Sequence, residues 1–97
     1  MPTDMNPTPQ TWFLYMLRCR EGQLYTGIST DVERRLAQHE SGKGAKYLRG
    51  RAPLKLLFQQ LVGSHSEALK AEAQMKKMSK GDKEKMLAVY ASHSSKL

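Results

Sequence analysis

Two runs of strand-forming residues, joined by a short glycine turn and followed at once by a capped amphipathic helix, constrain this chain more than any other feature. From Thr11 to Cys19, Phe13, Tyr15, Leu17 and Cys19 alternate with Trp12, Leu14 and Met16, so both faces of the segment are apolar. A segment of this kind reads as the central strand of a sheet. Arg20, Glu21 and Gly22 make a turn in which Gly22 is free to take a positive φ, and Leu24 to Ser29 returns as the second strand of a hairpin. Gly27 lies inside that second strand, where it weakens the sheet unless another group must approach its backbone closely.

Thr30 followed by Glu33 has capping-box spacing and predicts a helix from Asp31 to about Glu40. Val32 and Leu36 form its buried stripe, and Arg35 and His39 form a second stripe beside it. Tyr15 and Tyr25 come from the two strands. Hairpin and helix therefore collect two phenols, a guanidinium and an imidazole on one small surface.

Further along, Leu54 to Val62 reads as a third strand, largely buried and paired with the Thr11 strand. Ser64 and Glu67 repeat the capping-box spacing and open a second helix whose core side is marked by Ala68, Leu69, Ala73 and Met75. Glu72 falls in the middle of that side. An ionised carboxylate there is costly unless a cation, a metal or a donor meets it, or unless it pairs outward with Lys76 one turn on. Ser79 with Asp82 caps a third, shorter helix through Lys83, Met86, Val89 and Tyr90. The Pro-rich lead-in over residues 1–10 and the polar tail over 92–97 are expected to be flexible, leaving one domain over 11–91.

Ninety-seven residues suffice for one core and not for two. No apolar run approaches the length of a bilayer crossing, and Asp4 with the early prolines is unlike a signal peptide. With Cys19 as the single cysteine, no internal disulfide forms, which fits a reducing, cytoplasmic setting. Continuing the apolar alternation, Cys19 reads as a small buried hydrophobe. A net charge of +7 favours polyanions as partners. Between Ser41 and Ser66 there is no carboxylate, while Lys43, Lys46, Arg49, Arg51 and Lys55 fall there with Gly42, Gly44 and Tyr47 among them. Glycines and an aromatic interleaved with cations suit a phosphate-tracking loop better than a surface kept basic for solubility.

The two tyrosines lie ten residues apart, the second in Tyr25, Thr26, Gly27, with an arginine eight residues past that glycine and a glutamate on a later helix. This order resembles the GIY-YIG nuclease family, with Leu14, Tyr15, Met16 standing for the first triplet. It is similar in particular to the small stand-alone bacterial members of the YhbQ-like group. The resemblance runs from about Trp12 to Leu87, and Arg35, His39, the Gly-Lys-Gly-Ala-Lys-Tyr loop and Glu72 in sequence make it specific. It implies an α+β fold, a three-stranded antiparallel sheet flanked by helices in the order β-β-α-β-α-α. It also implies an endonuclease that hydrolyses phosphodiester bonds in DNA, RNA being a second candidate substrate, with a divalent metal, Mg²⁺ or Mn²⁺, as cofactor. DNA repair or processing of branched structures is the implied setting, and a protein partner for specificity would be in keeping.

Position by position, the resemblance makes Glu72 the metal ligand, Arg35 the clamp on the scissile phosphate, and Tyr15 and Tyr25 the phenols that position or deprotonate the attacking water. His39 falls where other members carry a tyrosine or a histidine, and Gly27 where the backbone must leave room. Lys43, Lys46, Tyr47, Arg49 and Arg51 would bind the nucleic acid. The sequence departs from the family pattern in two places: its single asparagine is Asn6, far from the late position many members use, and Ile28 stands where excision-repair nucleases have a lysine. The competing class is a catalytically weak binding module that keeps the cleft and the basic loop. In that case the tyrosines are sheet aromatics and His39 a helix-end cation.

Overall fold

Apolar residues on both faces make strand β1, Trp12–Arg18, the middle of the sheet, and it pairs antiparallel with β2, Leu24–Ser29, on one side and β3, Lys55–Gly63, on the other. The computed structural model describes residues 10–94, so the lead-in over 1–9 and the tail over 95–97 lie outside the described residues. Helix α1, Val32–Glu40, follows β2. A 3₁₀ turn at Lys46–Leu48 precedes β3, and helices α2, His65–Lys77, and α3, Lys80–Ser94, complete the chain. The architecture is the α+β arrangement in the order β-β-α-β-α-α.

The alternation of β1 divides the core in two. Tyr15, Leu17 and Cys19 pack with Val32 of α1 and with Leu48 and Leu54 on one face, whereas Leu14 and Met16 pack with Phe58, Met75 and Leu87 on the other. Thus α1 and the loop after it cover one face, and α2 and α3 cover the other. Met16 and Leu17 are completely buried, and each such side chain contributes about 1.5–3 kcal/mol of apolar transfer. Arg18 at the end of β1 makes a two-pronged bond to Glu84 of α3, at 2.8 and 3.0 Å, which fixes α3 against the sheet. No helix among the described residues is long and apolar enough to cross a membrane.

Four local expectations need correction. Asp31, not Thr30, caps α1: its carboxylate accepts from the Arg34 amide at 3.0 Å, so the helix is capped one residue later than the Thr30–Glu33 spacing predicts. Strand β3 is an edge strand and is not largely buried; of its residues Phe58 alone is buried, and Leu61 is 60% exposed. In α2 the core stripe is Ala68 and Met75, with Leu69 and Ala73 turned to solvent. Helix α3 is the longest of the three, starting on the Ser79 cap and running to Ser94 despite Gly81, past the point where the tail was expected. The capping box at Ser64 and Glu67 is formed on both sides, with bonds of 3.1 and 2.8 Å.

Candidate active site

Register places Tyr15 opposite Gly27, and this pairing lets the phenol lie across the β2 backbone. A Cβ at residue 27 would sit 2.5 Å from the Tyr15 hydroxyl oxygen and 2.6 Å from the ring carbon that bears it, so only glycine leaves the space. Tyr15 and His39 are each 1% exposed, and the phenol oxygen lies 2.9 Å from Nε2 of the imidazole. The backbone N–H of Ala45 donates to Nδ1 of the same ring at 3.0 Å. An amide can only donate, so Nδ1 carries a lone pair and the ring proton is on Nε2. His39 therefore donates to Tyr15, and the Tyr15 hydroxyl keeps its own proton for another acceptor.

Both titrations follow from this arrangement. Burial first, and Arg35 second, hold the His39 pKa below its ordinary 6.5. The Tyr15 phenol is pushed up to about 12, chiefly by burial and then by the Tyr25 phenol, with Glu72 adding a little; Arg35 pulls in the opposite direction. Tyr25, Arg35 and Glu72 thus all act on one buried hydroxyl. Because unfolded His39 binds a proton more readily than folded His39, stability contributed by the neutral ring is present above about pH 6.5 and is lost as pH falls through the lower folded value. Urea midpoints measured from pH 7.5 to pH 5 should fall more steeply for the wild type than for His39→Gln.

Arg35 is half-buried on α1 and bonds Gln38 Oε1 through Nη1 at 3.0 Å. Among the described residues no carboxylate forms an ion pair with it, which leaves its charge for a ligand. Glu72 projects from α2 with its side chain 20% exposed, and Lys76 lies 3.4 Å from it with 56% exposure. The outward pairing weighed from the sequence therefore forms, though the carboxylate stays mostly covered. Tyr25 stands with its ring 5.5 Å from His39 edge-on, 6.4 Å from Tyr15, and 6.2 Å from Tyr47 in a stack tilted by 18°.

The five basic-loop residues divide by environment. Arg51 is committed internally: its guanidinium lies 4.4 Å over the Tyr47 ring and its Nε donates to the Tyr47 carbonyl at 2.7 Å. Lys43, Lys46 and Arg49 are exposed, and Tyr47 is 48% exposed. Two groups at this centre were not legible beforehand. One is the Ala45 amide that fixes the His39 tautomer; the other is Gln38, which holds Arg35. The one available signal was Gly44, since a Cβ there would fall on the His39 ring, 2.8 Å from Cε1.

The donor set fits a hard divalent cation. Among the described residues no three His, Cys, Asp or Glu side chains cluster into a cage, and Glu72 is a single, mostly covered carboxylate whose charge is felt at the Tyr15 hydroxyl. One carboxylate, with water and substrate phosphate oxygens, is the usual way Mg²⁺ is held.

Comparison with known proteins gives three consistent findings. A family model described as the GIY-YIG catalytic domain matches residues 11–85. A UPF0213 protein of Cronobacter sakazakii is 54% identical over 79 residues, covering 81% of this chain and 83% of its own, and the UPF0213 protein YhbQ of Escherichia coli (strain K12) is 54% identical over 77 residues, covering 79% and 77%. Among solved structures, the UPF0213 protein BH0048 from Bacillus halodurans aligns with a TM-score of 0.54 at 42% identity, over 81% of this chain and 84% of that one. The protein EF2693 from E. faecalis aligns with a TM-score of 0.58 at 40% identity, over 84% and 86%.

Proposed function

The chain belongs to the GIY-YIG family of nucleases, and we propose that it is a metal-dependent endonuclease hydrolysing phosphodiester bonds in DNA. The observation that carries this reading is the Tyr15 hydroxyl: buried, hydrogen-bonded by His39, and electrostatically in reach of Tyr25, Arg35 and Glu72 at once. Phosphoryl transfer asks little covalent work of a protein. It asks for charge on the non-bridging oxygens to be neutralised and for an attacking oxygen to be aligned with the leaving one.

In this reading Arg35 grips a non-bridging phosphate oxygen through its fork, which Gln38 holds in place. Tyr15 orients the attacking water with the proton that His39 leaves free. His39 does not relay that proton onward, because one ring nitrogen already bears a hydrogen and the other is taken by the Ala45 amide. Tyr25 walls the site beside Tyr15, Gly27 makes room for the Tyr15 ring, and Glu72 would hold the metal. When bound there, a divalent cation would supply Lewis-acid charge to the phosphate and would offset the carboxylate charge that raises the Tyr15 pKa. Lys43, Lys46, Arg49 and the Tyr47–Arg51 pair provide the surface for the flanking phosphates.

A second reading is favoured by one observation: with its pKa near 12 and Glu72 paired to Lys76, the resting site is poor at deprotonating water, as a binding module's would be. Conversion of supercoiled plasmid separates the two. The wild type should nick it with Mg²⁺ or Mn²⁺ and stop when the metal is chelated; binding without any metal-dependent nicking selects the module.

A further inference from the structure

The basic loop is not the only cationic wall around Tyr47. A groove of about 220 Å³ is lined by Gln23 and Leu24 at the start of β2, by Tyr47, and by Lys80 and Lys83 in the first turn of α3. Lys80 is held at its rim, with Nζ 3.4 Å from the Gly22 carbonyl. The two lysines lie three apart on one helix face, about 5–6 Å between their β carbons. The nearby carboxylates neutralise the groove only in part: Glu84 is held chiefly by Arg18 through both oxygens, at 2.8 and 3.0 Å, with Lys80 a weaker electrostatic neighbour, and Asp82 is exposed. Tyr47 stacks on Tyr25, so the groove begins one aromatic ring away from the candidate reaction centre.

A groove with cations on one wall and an aromatic on the other matches the sugar-phosphate edge of a nucleic-acid strand. We propose that the DNA strand leaving the reaction centre runs through this groove and past the first turn of α3, with Lys80 and Lys83 each neutralising a backbone phosphate. This rests on the reading of the site as one that acts on DNA. It assigns the Lys80 and Lys83 edge of the first turn of α3 a binding role and makes the nucleic-acid surface two-sided, with Tyr47 between the basic loop and that edge.

Counterion release gives the test, since each neutralised phosphate contributes about 0.7–0.9 to the slope of log affinity against log salt. The full chain, with metal chelated, is titrated by fluorescence anisotropy against a labelled DNA oligonucleotide between 50 and 200 mM salt. The Lys80→Ala/Lys83→Ala variant should lose about 1.4–1.8 from the magnitude of that slope. Lys70→Ala/Lys85→Ala carries the same charge change at exposed positions outside the groove and should keep the wild-type slope. Equal slopes for wild type and Lys80→Ala/Lys83→Ala, or equal losses for the two double variants, would overturn the proposal. If the wild type cleaves but its slope ignores Lys80 and Lys83, the path falls and the nuclease reading stands. If the slope depends on them but nothing is cleaved, the path stands and the nuclease reading falls.

Discussion

Glu72→Gln is expected to lower the rate of metal-dependent plasmid nicking by roughly 10²–10³-fold, the range typical of losing one principal source of transition-state charge. The substitution keeps the size and shape of the side chain while removing the charge that would hold the cation. Stability should hardly change, because the ion pair it breaks reaches a lysine that is 56% exposed, and surface i,i+4 pairs contribute only about 0.3–0.5 kcal/mol. Gel quantification of nicked plasmid, beside a urea unfolding midpoint, checks both halves. A variant that nicks like the wild type would mean that the activity does not come from this site.

Gly44→Ala should do comparable damage from outside the set of residues that touch substrate. The added methyl would overlap the His39 ring, so either the 43–47 loop retreats and the Ala45 amide leaves Nδ1, or the ring tilts away from Tyr15. Either way the tautomer is no longer fixed. We expect a loss of roughly 10²-fold in nicking, the low end for a positioned acid–base group, with about 1–3 kcal/mol of overpacking cost. Nitrogen NMR of the His39 ring should show a single Nε2–H form in the wild type and a mixture in the variant. Gly42→Ala is the control: it has φ +83° but open space around it, so it should cost backbone strain while leaving the ring signature intact.

The hairpin and α1 could be read from the chain because each rests on local periodicity: a two-residue repeat in β1 that is apolar on both faces, then a helical stripe beginning at Val32. The placing of Tyr15 near Arg35 follows from the same local elements. Elsewhere the competing local signals were nearly equal. Thr30 and Asp31 both offer a capping oxygen, and the one nearer the first turn wins. Leu56, Leu57 and Leu61 look like a buried run, yet β3 has a neighbour on one side alone, and Leu61 faces solvent. Helix α2 covers the sheet with a stripe through Ala68 and Met75 so narrow that Leu69 falls outside it. The His39 tautomer was out of reach altogether, since it depends on how a loop folds back to offer a backbone amide six residues on.

Arg35 and Glu72 come from different helices, and a nuclease centre around Tyr15 requires both to act on one phosphate. Residues that act as a unit are strongly non-additive. The most direct test is therefore a four-way comparison of single-turnover nicking rates for the wild type, Arg35→Ala, Glu72→Gln and the double variant, all prepared identically. One shared centre predicts a double variant no slower than the slower single variant. Losses that multiply, or single variants as fast as the wild type, would contradict it.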